Sequence, residues 1–388
     1  MQRFLEKMSI LSLSFMLVST FAVSPALPAM LDHFAQDGYS EQQVGFLITV
    51  TSFAIMTSLV LNPVLTRWVS ERAMISIGLL LVALGGSVPL LSQVYAILFI
   101  GRLFLGFGLG MINARAINMV STHFKGKERL QMMGLRGSTE VLGSAILTAI
   151  VGALLGFGWP IAFSIYLLAL VVLFLYLRFV PAEADKAEEA LDGPKAKLSQ
   201  RDWLRALGLA VVAFFVINVN SALTLRIPVM VQESGIATPQ QASLILSAMM
   251  LMGILAGMAF SHLLGHLKNA LLPVSVLIFS LCILLVTQPM NLLVLYIGAM
   301  VTGFFYSLVL TLVFNMASEQ TPQALLNAVM TIILVGCNTG GATSSLLPPL
   351  LEKLPTFGAG AYGIYALAGL VLSIILFWKM RQNSVNES

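Results

Sequence analysis

Charge is what this sequence lacks most. Only 10% of its 388 residues are charged while 58% are hydrophobic, with a mean hydropathy of +0.93. No water-soluble domain of this length covers itself with so little polar surface, so the composition is that of a polytopic helical membrane protein. Cysteine is nearly missing too. The two residues, Cys282 and Cys337, both fall inside apolar runs, which argues against a disulfide framework and against a thiolate metal centre. Neither GxxxxGK[ST], HExxH nor GxSxG occurs, so ATP hydrolysis and the commonest metalloprotease and esterase sites have no support.

What is present is apolar sequence in blocks. Runs long enough to cross a bilayer, about 20 residues each, are expected at 8–31, 43–62, 73–91, 94–120, 131–156, 160–180, 203–231, 241–263, 270–288, 292–317, 323–351 and 359–379. The fold class expected is therefore all-α and integral to the membrane, with about twelve transmembrane helices in two pseudo-symmetric six-helix bundles. The bounds are 1–180 for the first half, 181–202 for a charged cytoplasmic linker and 203–388 for the second half. Connections alternate in charge: sixteen Lys or Arg lie on the side of the termini and one, Lys353, on the other. By the positive-inside rule both termini are cytoplasmic. The net charge of +4 is thus a topology signal and not a nucleic-acid footprint. Residues 1–30 have a basic start and an apolar run like a signal peptide, but Pro25 disfavours cleavage, and the segment is read as the first span.

Polar residues inside the runs mark the candidate site, because a charge at membrane depth costs several kcal/mol unless it faces protein or a wet cavity. The run YAILFIGRLFLGFGLGMINARAINMVSTHF (95–124) carries Arg102, Arg115, Asn113 and Asn118 among glycines 101, 106, 108 and 110. It recurs 197 residues on: Gly101 and Gly106 fall on Gly298 and Gly303, and Asn118-Met119 on Asn315-Met316. A polar helix occurring twice points to two similar halves with a site between them. In the fifth run Arg136 and Glu140 are four apart, hence on one helical face. Glu140 is the one carboxylate placed well inside the hydrocarbon, caught between desolvation and a neighbouring cation, which suits a group that exchanges protons. The alternative is a permanent ion pair holding two helices. Asn218, Asn220 and Arg226 in the seventh run, Tyr306 in the tenth and Asn338 in the eleventh are candidates for the substrate cavity with Arg115 and Asn113. For the asparagines interhelical hydrogen bonding is the alternative, and for Arg226 snorkelling to the outer surface.

The motifs resemble the major facilitator superfamily, specifically its twelve-span drug:proton antiporter-like branch. SPALPAM (24–30) is similar to the proline motif that closes the first helix there. GRLFLGFGLG (101–110) resembles the fourth-helix motif, and KGKERLQMMG (125–134) the charged loop entering helix 5. The turn after the second run, with Arg67, Arg72 and Glu71, and its second-half copy, with Gly257, His262 and Gly265, occupy the places of the family's gating loops. Both depart from the acidic pattern. The fifth helix has Leu147-Thr148 where that branch has Gly-Pro. The resemblance implies a proton-coupling role for Arg102, beside Glu140 and Arg136, which their spacing and depth single out.

The expectation is a secondary transporter in the cytoplasmic membrane, not an enzyme, effluxing a small organic molecule by alternating access against protons. Four arginines against one carboxylate make the spans formally +3, favouring neutral, zwitterionic or anionic substrates over cations. An importer or uniporter is the alternative, and a channel-like pore or non-transporting receptor the alternative of another class. The expected partners are the substrate, protons and the lipid bilayer, with the chain acting as a monomer and with no nucleic acid, cofactor or metal.

Overall fold

An apolar run in lipid has to satisfy its backbone within itself, and the helix does so locally. The computed structural model describes residues 2–17, 19–124, 126–180, 198–287, 291–354 and 360–386, and among these the regular structure is helical throughout. The chain divides into two units, Met1–Gly193 and Pro194–Ser388. Of the expected linker 181–202, residues 181–197 lie outside the described residues, and its last three already form helix.

In the first unit, α1 (Gln2–Leu17) and α2 (Leu27–Ala35) together make the first span. They are joined through 3₁₀ turns at Ser19–Phe21 and Ser24–Ala26 and bent by 47°. The span breaks because Pro25 and Pro28 cannot donate to the ladder; each instead opens a new helical segment at its first positions. Ser40 and Gln43 form a capping box for α3 (Glu41–Leu65), and Ser70 caps α4 (Glu71–Gly86). Then come α5 (Tyr95–His123) and α6 (Gly126–Leu154). The sixth span is composite: α7 (Trp159–Ala162), a 3₁₀ stretch at Phe163–Leu167 and α8 (Leu168–Phe179).

In the second unit, α9 (Gln200–Ser234) starts on a Ser199–Asp202 capping box and ends at Gly235, whose φ of 64° only glycine adopts freely. α10 (Pro239–Leu267) and α11 (Leu271–Thr287) form an apolar stretch of 49 residues, about 74 Å if straight and twice what a bilayer needs. It turns back at Lys268, where φ is 45°. α12 (Leu292–Gln320), α13 (Gln323–Thr343), α14 (Leu347–Leu351) and α15 (Gly360–Asn386) complete the chain. Among the described residues nine stretches are long and apolar enough to cross a membrane. Counting the doubled stretch, the bent first pair and the shorter Ala328–Thr343, each of the twelve expected spans has its helix.

Packing repeats between the units. α3 and α4 lie along α5 as α10 and α11 lie along α12; α1 packs on α6 as α9 packs on α13; α4 meets α8 as α11 meets α15. Lipid gives apolar helices no reason to associate, so close approach through small residues carries these contacts. A Cβ on Gly106 would strike the Thr51 carbonyl, and one on Gly303 the Met249 carbonyl. The pair Gly143 and Gly340 repeats the relation against the carbonyls of Phe15 and Phe214.

Candidate functional site

Glu140 stands at the midpoint of α6, fourteen residues from either end. The i,i+4 spacing delivers Arg136 to it: Nη2 donates to Oε1 at 2.5 Å, with 15% and 24% of the two side chains exposed. The pair is neither sealed in the core nor laid open, and its carboxylate has a polar partner. The Nε atom of Arg136 is buried without a hydrogen bond, so the guanidinium keeps a donor in reserve.

Arg102 does not join this pair. α5 and α6 are successive, antiparallel spans, and Arg102 lies 21 residues from the α5 end nearest the turn while Glu140 lies 14 from the start of α6, a difference of ~10 Å along the axis. Arg102 is 3% exposed and faces the sixth span. Its Nη1 donates to the Tyr166 hydroxyl at 3.1 Å, and that hydroxyl donates to the Ser19 carbonyl at 3.0 Å. The guanidinium lies 4.7 Å from the ring centre of Phe163 and 5.6 Å from that of Tyr166. Both aromatics sit in the 3₁₀ stretch of the sixth span, and Ser19 in the break of the first. No carboxylate among the described residues pairs with Arg102, so ring faces and a phenol compensate its charge. Tyr166 itself fits because Gly86 faces it: a Cβ there would collide with the ring. Sequence reading missed Tyr166 and Phe163, since partners 64 residues apart share no local pattern.

The other candidates scatter. Arg115 is buried in α5, and Asn113 beside it is half-buried. Asn218 is spent on its neighbours: Nδ2 donates to the Gly340 carbonyl at 2.9 Å and to the Thr343 hydroxyl at 3.0 Å, and Oδ1 accepts from the Tyr365 hydroxyl at 2.6 Å. It pins α9 to α13 and α15, the structural alternative for such a residue. Asn220 is different, because its buried Oδ1 has no hydrogen bond. Arg226 reaches along α9 to Glu233 at 2.9 Å, with 34% and 56% of the two side chains exposed, an ion pair towards the helix end. That pair also lowers the formal charge of the spans from +3 to +2, three arginines against Glu140. Tyr306 is half-buried on α12. The Nδ2 of Asn338 is taken by the Leu334 carbonyl of its own helix at 2.9 Å.

At the ends of the spans, Arg72 donates to the carbonyls of Leu177 at 2.8 Å and Val180 at 3.2 Å, capping α8 from the start of α4. Arg67 is exposed in the turn after α3. A Cβ on Gly257 or Gly265 would meet nothing within 4 Å, so neither glycine is needed for helix contact within its unit. Among the described residues no group of three or more His, Cys, Asp or Glu is placed to hold a metal ion.

The model of the Major Facilitator Superfamily matches residues 9–345 of this chain. Among solved structures, a D-xylose–proton symporter is similar at 14% identity and a TM-score of 0.75, covering 97% of both chains. A peptide transporter in complex with sulfate follows at 13% identity and 0.74, covering 97% of this chain and 94% of that one. A nucleoside transporter follows at 15% identity and 0.72, covering 97% and 99%. At such identities the likeness is one of fold. No curated protein sequence matches the chain.

Proposed function

The chain belongs to the major facilitator superfamily, and from that premise we propose that it is a proton-coupled secondary transporter of the drug:proton antiporter-like branch. It exports a neutral, zwitterionic or anionic small organic molecule across the cytoplasmic membrane by alternating access, as a monomer with both termini in the cytoplasm. The observation that carries the coupling is Glu140, a carboxylate at the centre of a membrane-crossing helix, held by Arg136 yet partly exposed. Protonation of Glu140 releases Arg136, and deprotonation recaptures it, so one proton exchanges against one ion pair as the site opens to each side. The excess of arginine favours substrates without net positive charge. Arg115, Asn113 and the unsatisfied Asn220 are the groups proposed to meet the substrate, with Tyr306 and Asn338 beside them. The turns carrying Arg67 and Arg72, and Gly257 and Gly265, are proposed as gates.

One observation favours import instead. α6 runs unbroken through Leu147-Thr148, where Thr148 is fully buried and donates to the Ser144 carbonyl at 2.8 Å. Nothing there supplies the weak point that Gly-Pro gives the antiporter branch. The D-xylose–proton symporter fold is compatible with that direction.

A thermal-shift screen of metabolites and drugs on the purified protein selects a substrate, which is then followed in proteoliposomes under an imposed pH gradient. Export by antiport is driven when the compartment receiving substrate is acidic. Import by symport is driven the opposite way, and a uniporter ignores the gradient. Glu140→Gln is expected to abolish the response to the gradient while leaving substrate exchange at zero gradient. Unchanged coupling in that variant removes Glu140 from the mechanism.

A further inference from the structure

The bend in the first span ends on a single phenol. Ser19 lies where α1 gives way to 3₁₀ turns, and its carbonyl takes the short bond from the Ala22 N–H at 3.1 Å. Its second lone pair accepts from Tyr166, and Tyr166 in turn accepts from Arg102. All three residues are buried: Ser19 and Tyr166 fully, Arg102 to 3% exposure. The Nη2 of Arg102 and the Oγ of Ser19 have no hydrogen-bond partner. Among the described residues Tyr166 is therefore the polar link by which a buried cation on α5 is joined to the bend.

The second unit carries the same joint without the charge. Shifted by 199 residues, Ser19 falls on Asn218, Phe163 on Tyr362 and Tyr166 on Tyr365, and Tyr365 again donates across to the first span of its half, here to the Asn218 side chain. Ala299 stands where Arg102 does, 197 residues on. There α9 is continuous, with no bend to hold.

We propose that Tyr166 is a positioning residue for Arg102, and that the two form a latch holding the first span in its bent form. Arg102 holds the Tyr166 hydroxyl in place, and release of that hydroxyl from the Ser19 carbonyl lets the segment between α1 and α2 change shape. A guanidinium already half-satisfied by ring faces gives up one hydrogen bond at modest cost, which suits a latch better than a buried ion pair. The proposal rests on the transporter reading only for the use made of the bend, not for the latch.

The test needs no substrate. In full-length protein reconstituted in lipid nanodiscs, with Cys282 and Cys337 replaced by alanine, Ser19→Cys places a thiol at the bend without touching the carbonyl that Tyr166 uses. Its rate of labelling by a small maleimide reads opening. Tyr166→Phe keeps the ring and loses both hydrogen bonds, and is expected to raise the rate about tenfold. In an Arg102→Ala background, already raised, adding Tyr166→Phe is expected to change nothing further, the signature of two residues acting as one unit. Tyr365→Phe, which loosens the counterpart joint, is expected to leave the rate unchanged. An unaltered rate in Tyr166→Phe, additivity with Arg102→Ala, or an equal rise in Tyr365→Phe overturns the latch. The proton reading fails separately: unchanged response to a pH gradient in Glu140→Gln counts against coupling, in an assay that does not involve the bend, while the cycle still decides the latch.

Discussion

The two units share their helix pairings and their contact glycines, yet they treat the junction of first and last spans oppositely. In the first, the chain breaks at Ser19 and a tyrosine bonds to the main chain with an arginine behind it. In the second, α9 runs unbroken for 35 residues, even through Pro228, and the tyrosine bonds to an asparagine side chain that also fastens α13. Where the helix is continuous its own ladder engages the carbonyls, so an interhelical bond is best made by a side chain that brings its own acceptor. Where it is broken, a main-chain acceptor is on offer. One repeat thus holds its joint by satisfied neutral hydrogen bonds and the other by a cation that ring faces and a phenol compensate. The charged pair Arg136–Glu140 falls in the same unit as that cation, and its second-half positions hold Ile333 and Cys337. The buried charges and the bent span belong to one half, the neutral joint and the continuous helix to the other.

That contrast breaks most sharply if charge is put where the second half has none. Ala299→Arg would bury a guanidinium beside a tyrosine whose hydroxyl is already committed, and is expected to cost several kcal/mol and abolish folded protein in size-exclusion chromatography. Gly303→Val, forcing a branched side chain against the Met249 carbonyl, is expected to lose about 1–3 kcal/mol by overpacking, read as a lowered thermal midpoint in detergent. Gly106→Val at the equivalent contact should match it, because the packing is common to both halves. Asn218→Ala removes the partner of the Tyr365 hydroxyl and is expected to lower the same midpoint by about 1–3 kcal/mol with exchange kinetics unchanged. A changed substrate affinity there would return Asn218 to the cavity. The smallest effect belongs to Arg226→Gln: the pair with Glu233 is half in water, so a stability change below about 1 kcal/mol and no change in transport are expected.

Much of the fold could be read from the chain because oil simplifies the problem. Apolar run length places the helices, and the 197-residue echo of Gly101 and Gly106 announces the repeat. The echo was also the signal that could have found Tyr166: Ser19 with Asn218, Phe163 with Tyr362 and Tyr166 with Tyr365 keep a second register of 199. The pairing of Arg136 with Glu140 was legible for the same local reason, four residues on one helix. Arg226 was not, since whether a long side chain turns inward or along its own helix depends on what stands at the next turns, here Glu233.

By itself, then, the amino-acid order settled the solvent, the number of crossings and the presence of two related halves, because each depends on composition or spacing along one strand of chain. Only tertiary packing decided which buried polar groups are spoken for. Arg102 and Asn218 look alike as polar intruders in apolar runs, and their fates diverge because hydrogen bonds are short and directional, so an acceptor 64 to 125 residues away in sequence wins once folding brings it within 3.1 Å.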